Sequence, residues 1–549
     1  MTGIDQLAEE YWEHSLATEP TLAHLLGRYD RAGEFEDGGR EAEDRDIAAQ
    51  LAFAERAEAV EESGLDAQQR LTRAVLITNA RSRADLLEAR LADLAADPIF
   101  GDQVSMPIVM GMFGLPDVEV AEALVDKLRH LGQYYRRLAE RQRQGVADGR
   151  VPAEFAVTAT IQQIDDQLAL PVADDPLLVT STPPSGLDSE AWTARLRAVV
   201  ESDVRPGMAA YRDVLRDDVL PEARPDDRCG LSWIPGGEAA YDATLRYFTT
   251  TSKSAQEIHE IGLAQVEKLA EEYRALGPEV VGTDDLEKIF SAMRSDPALH
   301  FTSGDQLVTA SEIAMQRAWD AMPGWFEVLP EARCLVQSTT TGAKAFYFPP
   351  ATDGTRGGTF LVNVSDPSSW GTFELESMAF HEGIPGHHLQ LAIASELEGV
   401  PEFRKHLLNS AYAEGWGLYT ERLADEMGLY SSAVDRMGMY SGDSMRACRL
   451  VVDTGLHALG WSRQQAVDYM LANSPMAEGM VRPEVDRYAV SPGQATSYMI
   501  GRLEIDRMRA EAQARQGKAF DVRAFHSAVL DSGGLPLDVL DQVVRARLP

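Results

Sequence analysis

Cysteine is scarce. The 549 residues hold three, Cys229, Cys334 and Cys448, all far apart. That spacing excludes a disulfide framework and a cysteine-based zinc site. Positive charge is also short: 51 Lys and Arg face 87 Asp and Glu, for a formal charge of −36. A nucleic-acid binder needs a basic stripe to neutralise phosphates, so no nucleic-acid partner is expected. Anionic membrane surfaces are disfavoured for the same reason. No apolar run approaches the roughly 18 residues that span a bilayer. The opening MTGIDQLAEEYWEHS lacks the basic start and apolar core of a secretory signal, so a reducing cytoplasm is the expected compartment. There is no G-x-S-x-G elbow, no P-loop and no G-x-G-x-x-G after a strand. Internal repeats and low-complexity tracts are absent too.

What is present reads as helix. Hydrophobic residues make up 44% of the chain, an ordinary globular share. Apolar positions recur at three and four over Ile4–Ala17, Asp66–Leu94, Val118–Gln144 and Ser189–Leu215. Proline and glycine punctuate Ala95–Pro116, which reads as a loop or a broken helix, and Pro171–Gly186 and Pro221–Gly237, which read as loops. The helical pattern returns from Tyr241 to Met322, where Ser254 and Glu257 form a capping box for a helix to about Leu276. Three short segments, Arg333–Thr340, Ala345–Phe348 and Gly358–Val364, then read as a small sheet. Gly358–Val364 is expected at its edge, where an extended substrate can add as a further strand. Helix resumes after Thr372. The expected fold is mainly α with one small sheet. The expected organisation is one continuous domain, with a helical part over 1–225 and a catalytic part over 226–549, because the motifs below must converge on one site.

Three of the 11 histidines fall within eight residues, His381-Glu382-Gly383-Ile384-Pro385-Gly386-His387-His388. Imidazoles are common zinc ligands, and a neighbouring Glu can act as general base. The zincin pattern H-E-x-x-H brings two His to one helix face, but here the second position is Pro385. A loop at Pro385-Gly386 would let His387 fill it, since proline breaks the helix ladder. His388 is the alternate second ligand, but seven residues of straight helix set it about 10.5 Å along the axis. If His387 binds, His388 becomes a supporting or substrate-facing group. Glu414, in an apolar and aromatic stretch, is the candidate third ligand, and Glu421 lies two turns further along the same face, where it can orient a ligand. Further on, Arg446, Arg449, Asp453 and His457 share one helix, with Asp453 and His457 four apart and on one side. Tyr498 follows a Pro-Gly turn, and a tyrosine hydroxyl beside a metal can stabilise an oxyanion. Asp353, Arg356 and the Ile234–Glu238 turn with Tyr241 are further polar or special-backbone sites.

HEGIPGHHLQ, AYAEGWGLYTERL, VDTGLHALGW and PGQATSYMIG together resemble the bacterial DUF885 family. GLSWIPGGEAAYDATLRYFTTTSKSAQEIHEIG and AFYFPPATDGTRGGTFLVNV extend the resemblance over roughly residues 225–515. It implies a two-lobed helical zincin-like fold similar to the thimet-oligopeptidase-like and carboxypeptidase-Taq-like gluzincins, with a channel between helical halves. By the same resemblance His381, His387 and Glu414 hold one zinc ion, with another divalent ion as the alternative. Glu382 is the general base, Tyr498 stabilises the transition state and His457 contacts substrate. His388 and Arg449 are the candidate substrate-binding residues. The expected activity is hydrolysis of short peptides. The alternatives are an amidase or lyase on a small non-peptide substrate, and a metal- or peptide-binding relic without catalysis.

Overall fold

A computed structural model gives the fold and describes residues 3–349, 357–406 and 409–549. Asp353 and Arg356 lie outside the described residues. The protein is mainly helical, with one three-stranded mixed sheet in mid-chain. The chain divides into two compact units. One comprises Met1–Glu61, Asn79–Ala243 and Leu456–Gln464, and the other Glu62–Thr78, Thr244–Gly455 and Gln465–Pro549.

The first unit is built around the helix Val118–Ala147. Asp117 caps it by accepting a hydrogen bond from the Val120 amide. Leu124, Leu128, Leu131 and Tyr135 recur at three and four and are fully buried, so one stripe faces the core. The expected helix Ser189–Leu215 is interrupted by a wide π turn at Val200–Val204, just before Pro206. Proline has no amide to donate, and the widened turn absorbs the broken ladder. The segment Ala95–Pro116 is not all loop. It carries a helix over Asp102–Met110 despite Pro107, because Met106 and Met110, one turn apart, are buried in the core. Burial of two such side chains, worth about 1.5–3 kcal/mol each, outweighs local propensity.

In the second unit the Ser254–Glu257 capping box starts the helix Ala255–Val280. The strands are β1 (Cys334–Thr339), β2 (Ala345–Phe348) and β3 (Gly358–Asn363). Their order is β1-β3-β2, with β1 parallel and β2 antiparallel to β3. The expectation that Gly358–Val364 forms an edge is therefore corrected: it is the central strand. Both its backbone edges are paired, and Phe360 and Val362 are fully buried, as the apolar run GTFLVN requires of a covered strand.

A buried histidine braces the helix Ser410–Glu426, which carries both carboxylates of the site. His526 accepts from the Tyr419 hydroxyl at Nε2 (2.8 Å), donates from Nδ1 to the Trp325 carbonyl (2.8 Å) and stacks on Phe326. Burial pushes its pKa down to about 3 from 6.5. The unfolded chain takes up this proton below pH 6.5, and the folded chain holds it off until about pH 3. The group's contribution is thus complete above pH 6.5 and is lost as pH falls through that window, at about 1.4 kcal/mol per pH unit. Urea unfolding at pH 6.5 and 4.5 should show a steeper loss in the wild type than in His526→Asn. Equal losses would remove the assignment.

Candidate metal centre

The chain around the histidines is a broken helix. Glu374–Met378 runs into a π turn at Ala379–Gly383, the Ile384–Pro385 peptide is cis, and a new helix opens at His387 and runs to Glu396. His381 sits in the π turn and His387 is the first residue of the next helix. The helix Ser410–Glu426 grips this segment along its length. The Trp416 indole donates to the Pro385 carbonyl (3.0 Å) and the Thr420 hydroxyl to the Phe380 carbonyl (3.1 Å). Gly417 lies against the His381 ring, where a Cβ would come within 2.7 Å of it. Any side chain there would push the imidazole out of place.

Three side chains converge. His381 Nε2 lies 3.5 Å and His387 Nε2 3.3 Å from the same oxygen of Glu414, and the two rings meet edge to face at 4.8 Å. The candidate ligand atoms of the three all lie within 4.8 Å of one another. Ligands about 2.05 Å from a tetrahedral zinc stand about 3.3 Å apart, so these separations fit one ion held by two nitrogens and one oxygen. His381 is oriented from behind: its Nδ1 pairs with Glu421 at 2.8 Å, and Glu421 in turn accepts from Ser377. A carboxylate on the far nitrogen fixes the tautomer and raises the basicity of a metal-binding imidazole. The Arg446 guanidinium lies 3.4 Å from Glu421.

The charges suit a cation. Burial alone would lower the His381 pKa, but Glu414 and Glu421 outweigh it and push the imidazole up to about 9. Glu414 is held well below the carboxylate range: the two imidazoles overcome the opposing effect of burial. In the ion-free protein a proton on His381 thus offsets carboxylate charge, and a bound ion would take over that charge. Glu382 is raised, chiefly by burial.

The other candidates are dispersed. His388 is fully buried and turned toward the sheet. Its Nδ1 pairs with the Tyr347 hydroxyl (2.9 Å) and its Nε2 with the Ala332 carbonyl (2.9 Å). Both nitrogens are occupied by protein, and the ring is not one of the three that converge. Tyr498 opens the helix Ser497–Gln516, which crosses Ser410–Glu426 at backbone contact: a Cβ on Gly415 would lie 2.5 Å from Gly501. That crossing sets Tyr498 one turn from the neighbour of Glu414, and the Glu414 charge adds to burial in raising its phenol. Arg449 is buried, donates to Tyr488 (2.9 Å) and Glu484 (2.8 Å), and covers the Tyr498 ring at 4.7 Å. His457 falls in the other unit, where its Nδ1 accepts from the Leu231 amide and its ring lies over Tyr241. Asp453 accepts from the Gly493 amide in the turn before Tyr498. Sequence reasoning did not single out Ser377, Gly417 or the Glu484–Arg487–Tyr488 group. Only the last leaves a local trace, a Glu and an Arg three apart on one helix.

The fold has known counterparts. A "putative lipoprotein" from Colwellia psychrerythraea is similar over 100% of this chain and 99% of its own, with a TM-score of 0.91 and 23% identity. A second protein titled in the same way and of unknown function, from Shewanella oneidensis, is similar over 98% of this chain and 99% of its own, with a TM-score of 0.78 and 18% identity. Those titles overturn the expectation of a cytoplasmic protein. Among the described residues no helix is long and apolar enough to cross a membrane. No curated protein matches. The family profile of DUF885, described as bacterial protein of unknown function, matches residues 20–544, and the chain belongs to that family.

Proposed function

We propose that this protein is a zinc-dependent hydrolase of amide bonds, acting on short peptides. One observation carries the reading: two imidazoles and a carboxylate present ligand atoms within 4.8 Å of one another, beside an acidic residue, Glu382, that is not among them. His381, His387 and Glu414 would hold the ion. When bound, zinc lowers the pKa of a coordinated water to about 7 and polarises a carbonyl. Glu382 takes the proton from the attacking water on its carboxylate and delivers it to the leaving nitrogen. The C–N bond breaks, giving a carboxylate and an amine. The Tyr498 phenol keeps its proton, because burial first and Glu414 second raise it. It can therefore donate to the carbonyl oxygen as charge develops there. Glu421 keeps the His381 ring turned toward Glu414. This arrangement accords with the gluzincin-like reading of the motifs.

The test is metal analysis together with hydrolysis of a mixed peptide library. One zinc per chain and cleavage abolished by a chelator and restored by zinc are expected. A stoichiometric zinc protein that cleaves no peptide would overturn the peptidase reading.

A further inference from the structure

A cavity of about 110 Å³ reaches Glu421, the carboxylate that orients His381, while none of the three candidate metal ligands lines it. Arg446, on the helix Ala433–His457, lines it too, with Ser377 and Ser441. Both oxygens of Glu421 are already engaged, Oε1 by His381 Nδ1 (2.8 Å) and Oε2 by the Ser377 hydroxyl (2.5 Å). Lys344, also in the wall, is engaged by Glu374 (2.5 Å). Arg446 is different. One Nη stands 3.4 Å from Glu421 Oε1, and the enclosed Nε has no hydrogen-bond partner among the described residues. The residue is only 5% exposed. A buried charged donor without an acceptor is costly, so the cavity holds an N–H that an anion would complete.

Size and lining say which anion. The space equals about three or four waters at roughly 30 Å³ each, enough for a halide, nitrate or formate and too little for a peptide. The rest of the wall is Met378, Met445, Met476, Met480 and two glycines. Polarisable thioethers cannot replace a tight hydration shell, so a weakly hydrated ion is favoured. A groove of about 260 Å³ shares Lys344 and Met480 with the cavity, and Met480 is 37% exposed, which gives a small ion a way in. Resting on the zinc site proposed above, we propose that this cavity binds one small monovalent anion on Arg446 and that the anion tightens zinc at His381. Arg446 and His381 approach the same oxygen of Glu421. An anion on Nε draws the guanidinium off that oxygen and leaves it to the imidazole, which becomes the stronger ligand. Gly442 leaves the room for this movement: a Cβ there would lie 2.7 Å from Arg446 Nη1 and 2.8 Å from Glu421 Oε2.

Bromide is the first probe, because its anomalous scattering locates it. A crystal of the zinc-free protein soaked in sodium bromide should show a peak in the cavity against Arg446 Nε. Half-saturation is expected at about 10–100 mM, the strength of one charged hydrogen bond. Zinc affinity is then read by chelator competition in bromide, in formate and, at equal ionic strength, in sulfate, which is larger and strongly hydrated. Bromide or formate should tighten zinc by about 5- to 10-fold over sulfate, and zinc should tighten bromide by the same factor, since coupling is reciprocal. A larger effect of formate than of bromide would assign the site to small carboxylates rather than halides. Arg446→Gln and Met445→Phe, which removes the donor or fills the space, should each abolish the dependence. Thermal unfolding identifies a variant that has not folded, and the wild-type crystal and anion series decide the matter in that case. The absence of a bromide peak at Arg446 would overturn the proposal. So would an anion effect that persists in both variants, which is the result for an anion bound on the zinc itself. A peak without any change in zinc affinity would keep the site and overturn the coupling. A protein that binds bromide at Arg446 and no zinc in any salt would overturn the metal reading and leave the anion site standing.

Discussion

Glu382→Gln is expected to lower peptide turnover by about 10²- to 10⁴-fold, the usual share of a general base, while the protein keeps one zinc per chain and its thermal stability. The substitution preserves size and shape and removes the ability to accept a proton. Zinc should stay because Glu382 contributes none of the three converging ligand atoms. Folding should survive because the helical turn around it is held by other groups: Thr420 and Trp416 on its carbonyls and Glu421 on His381. The carboxyl is raised chiefly by burial, against the pull of the two imidazoles. The measurement is kcat on a defined peptide beside zinc content by atomic absorption. Full turnover in the variant would remove Glu382 from the mechanism. Lost zinc would instead mean that it holds the ion.

The sequence carried the site where the spacing is local and lost it where the partner lies far along the chain. His381, Glu382 and His387 are legible because they fall within seven residues, and Pro385 announces the break that the structure places between Gly383 and His387. Glu414 and Glu421 share a face because seven residues make two turns, and both carboxylates meet His381. The capping box at Ser254 is a local pattern and is present as read. Strand order is different. Nothing within GTFLVN tells which neighbours it will pair with, so an edge was expected where the sheet has its centre. Proline and glycine left Ala95–Pro116 open between loop and broken helix, because the burial that stabilises the helix Asp102–Met110 comes from the rest of the core. The Arg449 group joins two helices, and no spacing in either one reports that Glu484 will be shared by two arginines.

His387→Ala and His388→Ala should part company although the residues are neighbours. Successive residues on a helix point about 100° apart, so only one of the two can face Glu414, and His387 does so at 3.3 Å. A zinc site worth about 10–16 kcal/mol over four ligands loses about 3–4 kcal/mol with one of them, so His387→Ala should weaken zinc by about 10²- to 10³-fold. In the zinc-free protein its cost is confined to Glu414, which loses one of the two imidazoles beside it. His388→Ala should differ on both counts. It leaves zinc affinity within a few-fold, but it strands the Tyr347 hydroxyl and the Ala332 carbonyl. Each stranded group costs about 1–3 kcal/mol, and the lost ring adds a cavity under the sheet. Competition titration with a chromophoric chelator reads the first quantity and urea unfolding of the zinc-free protein reads the second. A loss of zinc in the His388 variant with retention in the His387 variant would require the helix that begins at His387 to be turned by about one residue. The Trp416 contact to Pro385, which fixes the chain just ahead of that helix, stands against such a turn.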